Sequence, residues 1–273
     1  MKGEGGYPPG EMAPVRSEIV CEVEPPTRPA LMHVRHQIGV MSKVASSFLI
    51  PDNHLGRATV SSVAVAHEVE RMGGRSIACV NARDRNLLGF RRDLLTAAAY
   101  GVDQFLLVYG DEPDSGGRTG ELTVRSMLDE LRSFSATPAF GARSVFRAGV
   151  TSRLRPLPAW KADADFVFAQ VSFSLHELLR WRDSLGFDGP VYAGVMVLAS
   201  APMGRKLASD IAEIDVPREW MDAVERDQGA GVDLACELAL AVIDSGAFAG
   251  VHLIPGVRYR EVAARLEAEL RGP

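Results

Sequence analysis

Cysteine is scarce in this chain: Cys21, Cys79 and Cys236 are spread over 273 positions with no C-x-x-C among them. That count excludes a disulfide framework and a cysteine-based zinc site, and it fits a reducing cytoplasm. A basic surplus is missing as well. Thirty Lys and Arg against thirty-five Asp and Glu leave a net charge of −5, so no cationic excess exists to neutralise a nucleic-acid backbone or an anionic membrane face. No run approaches the roughly 18 uncharged apolar residues of a membrane span. Met1 to Pro14 is rich in Gly and Pro and carries acids where a signal peptide needs an apolar stretch. Also absent are a nucleophile elbow, an H-E-x-x-H pair and a Walker glycine loop, which removes the chemistries those motifs carry.

What is present is a composition of 47% hydrophobic and 24% charged residues, enough to bury a full-sized core. Short β-rich runs alternate with helical patterns along the whole chain, the signature of βα units on a parallel sheet. Strands are expected at 19–23, 47–50, 75–80, 104–108, 144–150, 166–170, 191–197 and 250–254. Helices are expected at 30–42, from Thr59 or Ser61 to Met72, and at 87–100, 122–134, 175–185, 203–214, 232–245 and 259–270. On 87–100 the helical face is read from Leu87, Leu88, Leu94, Leu95 and Ala98, and on 122–134 from Leu122, Met127, Leu128 and Leu131. The connection 151–162 is too short and proline-rich for a comfortable helix. Eight βα units in one chain favour a single (β/α)8 TIM barrel over a doubly wound open sheet, with residues 1–17 as a disordered lead-in and 18–273 as the barrel.

In such barrels chemistry sits at the C-terminal ends of the strands. Read off in order, the polar residues there are Glu22 and Glu24, Asp52 and Asn53, Asn81 with Arg83 and Asp84, Asp111, Gln170 and His252. Acids, amides and one histidine suit proton transfer and hydrogen bonding to a polar heterocycle. His252 reads as a core histidine on an otherwise apolar strand. His33 and His36 have no acidic or cysteine companions, so no metal site is expected. Arg143, Arg147, Arg153 and Arg155 cluster around the fifth unit, either as solvated side chains or as a field that steers an anion.

These residues also carry a resemblance. Cys21-Glu22-Val23-Glu24-Pro25-Pro26 resembles the E-x-x-P-P strand of methylenetetrahydrofolate reductases. Arg83-Asp84-Arg85-Asn86, Asp93-Leu94-Leu95, Gly101 and Gly110-Asp111 resemble the family's R-D-R-N…D-L-L…G…G-D stretch. Ala164-Asp165-Phe166 to Gln170, with Phe173, resembles its A-D-F-x-x-x-Q strand. Together with Asp52-Asn53, Ala193-Gly194-Val195 and Gly250-Val251-His252-Leu253, the match spans nearly everything from Ile19 to Leu270.

The resemblance implies reduction of 5,10-methylenetetrahydrofolate to 5-methyltetrahydrofolate in one-carbon metabolism. Glu22 would then protonate N10, Asp111 would take the pterin's amino edge beside the reacting centre, and Gln170 and Phe173 would hold the folate. Cofactor contacts would fall on Asp52, Asn53, Cys79, Asn81, Arg83, Asp84, Tyr109 and Gly110. Departures from the family pattern concentrate on the flavin: Cys79 stands where flavin-binding members have histidine, Asn81 where threonine is usual, and Tyr109 before Gly-Asp. Hydride is therefore expected from NAD(P)H through FAD or, in the alternative, directly from NAD(P)H without a flavin. A folate-binding subunit of a methyl-transfer complex without reductase activity is a further alternative. A homo-oligomer is compatible with the family.

Overall fold

The computed structural model describes residues 18–112, 116–137, 146–211 and 214–270; the lead-in expected at 1–17 lies outside them. Eight parallel strands close into a barrel: β1 (Glu18–Glu22), β2 (Ser47–Ile50), β3 (Arg75–Asn81), β4 (Gln104–Val108), β5 (Arg147–Ser152), β6 (Phe166–Val171), β7 (Val191–Met196) and β8 (Gly250–Ile254). Each strand pairs with its neighbour in sequence, and β8 returns to β1 through the pairs Val20↔His252 and Cys21↔Leu253. The chain is a single (β/α)8 TIM barrel. The strand expected at 144–150 is β5, displaced to Arg147–Ser152, with Ser144 outside the described residues.

The connecting helices are α1 (Met32–Met41), α2 (Ser62–Arg71), α3 (Leu87–Tyr100), α4 (Val124–Ser135), α5 (Leu175–Ser184), α6 (Ala201–Asp210), α7 (Arg218–Arg226), α8 (Ala230–Asp244) and α9 (Tyr259–Leu270). Several begin where a polar side chain takes an otherwise unpaired amide. Asn86 accepts from Gly89 N–H at 2.8 Å before α3, Ser174 from Glu177 N–H before α5, and Thr123 and Ser126 cap α4 reciprocally. Ser61 occupies the corresponding position before α2 but makes no such bond.

On α3 the buried face is Phe90, Leu94 and Ala97, whereas Leu88 and Leu95 point to solvent. Two leucine pairs along that helix, Leu87-Leu88 and Leu94-Leu95, made the periodicity ambiguous, and contact with the sheet decides which member faces inward. Helix α7 was not anticipated, because only Trp220 and Val224 anchor it in a segment otherwise full of charge. Between β5 and β6 the chain forms only a short 3-10 turn, Ala159–Asp163. Among the described residues no helix is long and apolar enough to cross a membrane.

Strand side chains alternate between two cores, as the period of two requires. Outward residues such as Cys21, Phe48, Phe105 and Leu253 pack against the helices. Inward residues Val20, Leu49, Ile77, Cys79, Leu106, Phe166 and Phe168 fill the barrel, with Val108 and Tyr192 against them. At the N-terminal end a polar group closes the interior: Glu18 accepts from Ser47, from Arg75 Nη2 at 2.5 Å and from the Tyr192 hydroxyl at 3.3 Å. Burial first, then the neighbouring Glu18 carboxylate, pushes the Tyr192 phenol up to about 12.

Gly250 is a packing requirement of this closure. A Cβ there would overlap the Glu18 carbonyl oxygen on the adjacent strand, and backbone cannot move aside as a flexible side chain can. Gly250→Ala is expected to destabilise the fold by about 1–3 kcal/mol, as overpacking generally does. Urea denaturation of wild type and variant checks this, and a change below about 0.5 kcal/mol would place it with inconsequential surface substitutions.

Candidate functional site at the C-terminal end of the barrel

Glu22 ends β1 two residues after the inward-facing Val20, so strand alternation turns its carboxyl to the barrel interior. There Glu22 Oε2 lies 3.2 Å from His252 Nε2 on β8, although 230 residues separate the two in sequence. Side-chain exposure is 16% for Glu22 and 9% for His252. The imidazole meets the edge of Phe168 at 5.2 Å between centroids, and Phe168 stacks on Tyr192 at 4.7 Å. His252 is indeed buried, as a strand histidine should be, but its hydrogen-bond partner is the very acid singled out for proton transfer. Parity was the available signal: Glu22 and His252 occupy inward positions on the two strands that close the barrel.

Cys79 lies inside the barrel rather than at its rim. Burial first, and then the charges of Glu22 and Asp52, drive its thiol well above the ordinary range. It is a neutral packing group, which removes it from the contacts a cofactor at the surface would use.

The ends of β2 and β3 are joined by a polar network. Asp52 Oδ2 accepts from Asn81 N–H at 3.0 Å, Asn81 Nδ2 at 2.7 Å and Arg85 Nη1 at 2.5 Å. Arg85 Nε donates to Asp93 on α3 at 2.8 Å. Burial opposes the Arg85 charge, but Asp52 and Asp93 outweigh it and hold its pKa above the usual value. Asp84 Oδ2 accepts from both Asn81 and Asn53, each at 3.0 Å. Four expected cofactor contacts, Asp52, Asn53, Asn81 and Asp84, therefore bind one another. Arg85, which sequence reasoning did not single out, is the cation at the centre.

Gly110 follows β4 with φ of 99°, and a Cβ there would press on Asn81 and Arg83. Glycine thus lets the chain turn back over β3, and Arg83 N–H donates to the Tyr109 carbonyl. Arg83 is 3% exposed. Its Nη2 lies 2.5 Å from Glu112 Oε2, but among the described residues neither Nη2 nor Nε makes a hydrogen bond of good geometry. Arg118 donates to Glu112 at 3.1 Å and to the Tyr109 hydroxyl at 3.2 Å. Arg83 and then Arg118 hold the exposed Glu112 carboxyl below the ordinary carboxylate range. A carboxylate between two guanidinium groups occupies the kind of place a phosphate takes.

Asp111 is exposed and accepts from Leu55 N–H at 2.9 Å, which ties the β2–α2 loop across to the end of β4. In that loop Asn53 and Leu55 have φ of 47° and 55°, a region that branched side chains rarely adopt. Gln170, at the end of β6, accepts from Val171 N–H through Oε1 at 2.9 Å, leaving its amino group as a donor. Phe173 does not join this group. It is buried in the outer core edge-to-face with Trp220 of α7 at 4.9 Å, so helix packing takes the ring expected to stack on substrate.

Outside the mouth, Arg147 starts β5 at the opposite end of the barrel, over the Phe166 ring. The four arginines therefore do not form one field at the mouth; Arg143 lies outside the described residues. His33 and His36 both meet the Tyr259 ring, and His36 accepts from Arg260.

No protein-family model matches the chain, and no curated protein does. Among solved structures, a Clostridium thermocellum protein that binds two copies of 5-methyl-5,6,7,8-tetrahydrofolic acid superposes with a TM-score of 0.59 at 11% identity, covering 94% of this chain and 96% of that one. A long-chain alkane monooxygenase gives 0.53 at 7% identity over 93% and 91%, and the aldolase QR15 gives 0.51 at 9% over 96% and 100%. At these identities the likeness establishes the barrel and nothing finer.

Proposed function

We propose that this chain reduces 5,10-methylenetetrahydrofolate to 5-methyltetrahydrofolate with hydride from NAD(P)H. The observation that carries the reading is the Glu22 carboxyl, held at the C-terminal end of the barrel against His252 and largely withdrawn from solvent. The chemistry needs such a group. Opening the five-membered ring requires a proton on N10, which leaves a 5-iminium cation. Hydride then adds to the exocyclic carbon and completes the methyl group. A carboxyl that gives up its proton is left as a carboxylate beside the cation, so one residue serves both steps.

Gln170 supplies an amide donor and Asp111 a carboxylate acceptor on other parts of the mouth, a pair suited to the mixed edge of a pterin. The resemblance of the segments around Glu22, Arg83–Asn86, Gly110-Asp111 and Gln170 to methylenetetrahydrofolate reductases supports the assignment. So does a tetrahydrofolate ligand in a protein of the same fold.

One observation favours direct hydride transfer over a flavin. A flavin needs donors for its ribityl and phosphate oxygens. Of the residues expected to meet it, Asp52, Asn53, Asn81 and Asp84 are engaged with one another and Cys79 is inside the barrel. That donor set does not fit FAD, and no step here passes through one. Arg83, whose Nε has no hydrogen-bond partner among the described residues and whose counterion is exposed, is an expected contact that retains capacity for an anionic group such as a dinucleotide phosphate.

Purified protein is expected to lack flavin absorbance and to oxidise NADH or NADPH only when methylenetetrahydrofolate is present, with no gain on adding FAD. Stoichiometric flavin in the purified protein, or activity that appears only with added FAD, would return the reaction to the flavin route. Absence of turnover with either nicotinamide, despite tight folate binding, would favour the binding-subunit alternative.

A further inference from the structure

We propose that Glu22 and His252 form a one-proton dyad in which His252 is the positioning residue: its ring aims the Glu22 carboxyl and keeps a proton beside it between turnovers. The role assigned to that proton rests on the reductase reading; the existence of the shared proton does not.

The first argument is placement. Inward positions of β8 are Gly250, His252 and Ile254, and in the middle of a barrel an aliphatic side chain would satisfy packing at no polar cost. A buried imidazole loses hydration unless a partner replaces it. Among the described residues the partner is Glu22 Oε2 at 3.2 Å. The ring cannot easily turn away, because Phe168 meets it edge-on and is itself backed by Phe166 and Tyr192. The sites of proton exchange are therefore fixed as Nε2 on the histidine and Oε2 on the acid.

The second argument is the shared hydrogen. A hydrogen bond between Glu22 Oε2 and His252 Nε2 needs one hydrogen, carried either by the carboxyl or by the ring. Delivery to N10 leaves carboxylate and neutral imidazole, and solvent reloads the pair by one proton per turnover.

The surrounding groups do not compete for this hydrogen. Cys79 on β3 and Cys21 on β1 are driven up by burial first and then by Glu22 itself, and Tyr192 on β7 is pushed to about 12 by burial and Glu18, so all three stay neutral at ordinary pH. Asp52, after β2, is held by Asn81 and Arg85. Gln37 of α1, which donates to the Glu22 carbonyl, carries no charge. Glu24 is exposed beyond the strand, and Glu18, Arg75 and Arg147 lie at the other end of the barrel.

The direct test is histidine NMR on the unliganded full chain, with the His252 signal assigned by its loss in His252→Gln. In Glu22→Gln the His252 ring-nitrogen shifts at pH 7 are expected to move from their wild-type positions, because the carboxyl that shares a hydrogen with Nε2 is gone. Identical shifts in both proteins would overturn the dyad, and this comparison needs no enzymatic activity.

Kinetics gives the second test. His252→Gln preserves a donor to Glu22 but cannot store a proton. It is expected to lower kcat by about tenfold with KM within about twofold. An unchanged kcat, or a loss that falls on KM alone, would overturn the proposal. If the wild-type chain has no reductase activity at all, the reading in the preceding section fails while the NMR comparison still decides the dyad.

Discussion

Glu22→Gln is expected to lower kcat for methylenetetrahydrofolate reduction by about 10²-fold or more, the typical scale of losing a general acid. Glutamine keeps the length of the side chain and an amide able to face His252 Nε2, so the barrel end should retain its shape. What it loses is the transferable proton and the carboxylate left beside the cation. Folate binding, measured by titration without a hydride donor, should change little, because the interaction removed is made in the transition state. A drop smaller than about threefold, far below the general-acid scale, with folate affinity intact would favour a chain that binds folate without reducing it.

Arg85→Met is expected to destabilise the protein by about 3–5 kcal/mol, the scale of breaking a buried ion pair from one side. The guanidinium bridges Asp52, whose side chain is 3% exposed, and Asp93, at 17%. Methionine replaces the volume and leaves Asp52 without its cation and Asp93 with only the exposed Arg92. Because Asp52 also accepts both the backbone and side-chain amides of Asn81, the ends of β2 and β3 should loosen together. Urea unfolding monitored by circular dichroism measures the loss. Adding Asp52→Asn to Arg85→Met should recover part of it, since the stranded charge is then gone, and a purely additive double variant would argue against a coupled network.

Elements with strong periodicity were legible from sequence. Strands β2, β4 and β8 and helices α3 and α9 begin and end as read; α4 buries Met127, Leu128 and Leu131 as its spacing selects, while Leu122 is buried ahead of its Thr123 cap rather than on the helix. Helix α7 was not legible, because two apolar anchors among charges give no period until β7 and α8 provide a surface. Leu88 and Leu95 misled for the opposite reason: apolar residues on several faces of α3 left its orientation undetermined.

The candidate site divides along similar lines. Glu22, Asp111 and Gln170 were read from their positions just at or past strand ends, a rule that follows from barrel geometry. Arg85 looked like one charge among several in Arg83-Asp84-Arg85-Asn86, and nothing local distinguishes which of the two arginines reaches Asp52. Phe173, expected to hold the folate, is instead packed on Trp220 of helix α7, an element the sequence did not reveal.

By itself the sequence determined an α/β barrel, through eight alternations of strand and helix, and an acid at the end of the first strand. Those properties depend on periodicities of two and 3.6, which act over a few residues and are written locally. Only the tertiary structure decided that His252 faces Glu22, that Arg85 rather than Arg83 neutralises Asp52, and that Asp52, Asn53, Asn81 and Asp84, four of the eight expected cofactor contacts, bind one another. Each of those depends on closure of the ring, when β8 meets β1 and the strand ends converge. The energies involved arise from burial and charge separation across distances that no window of sequence contains.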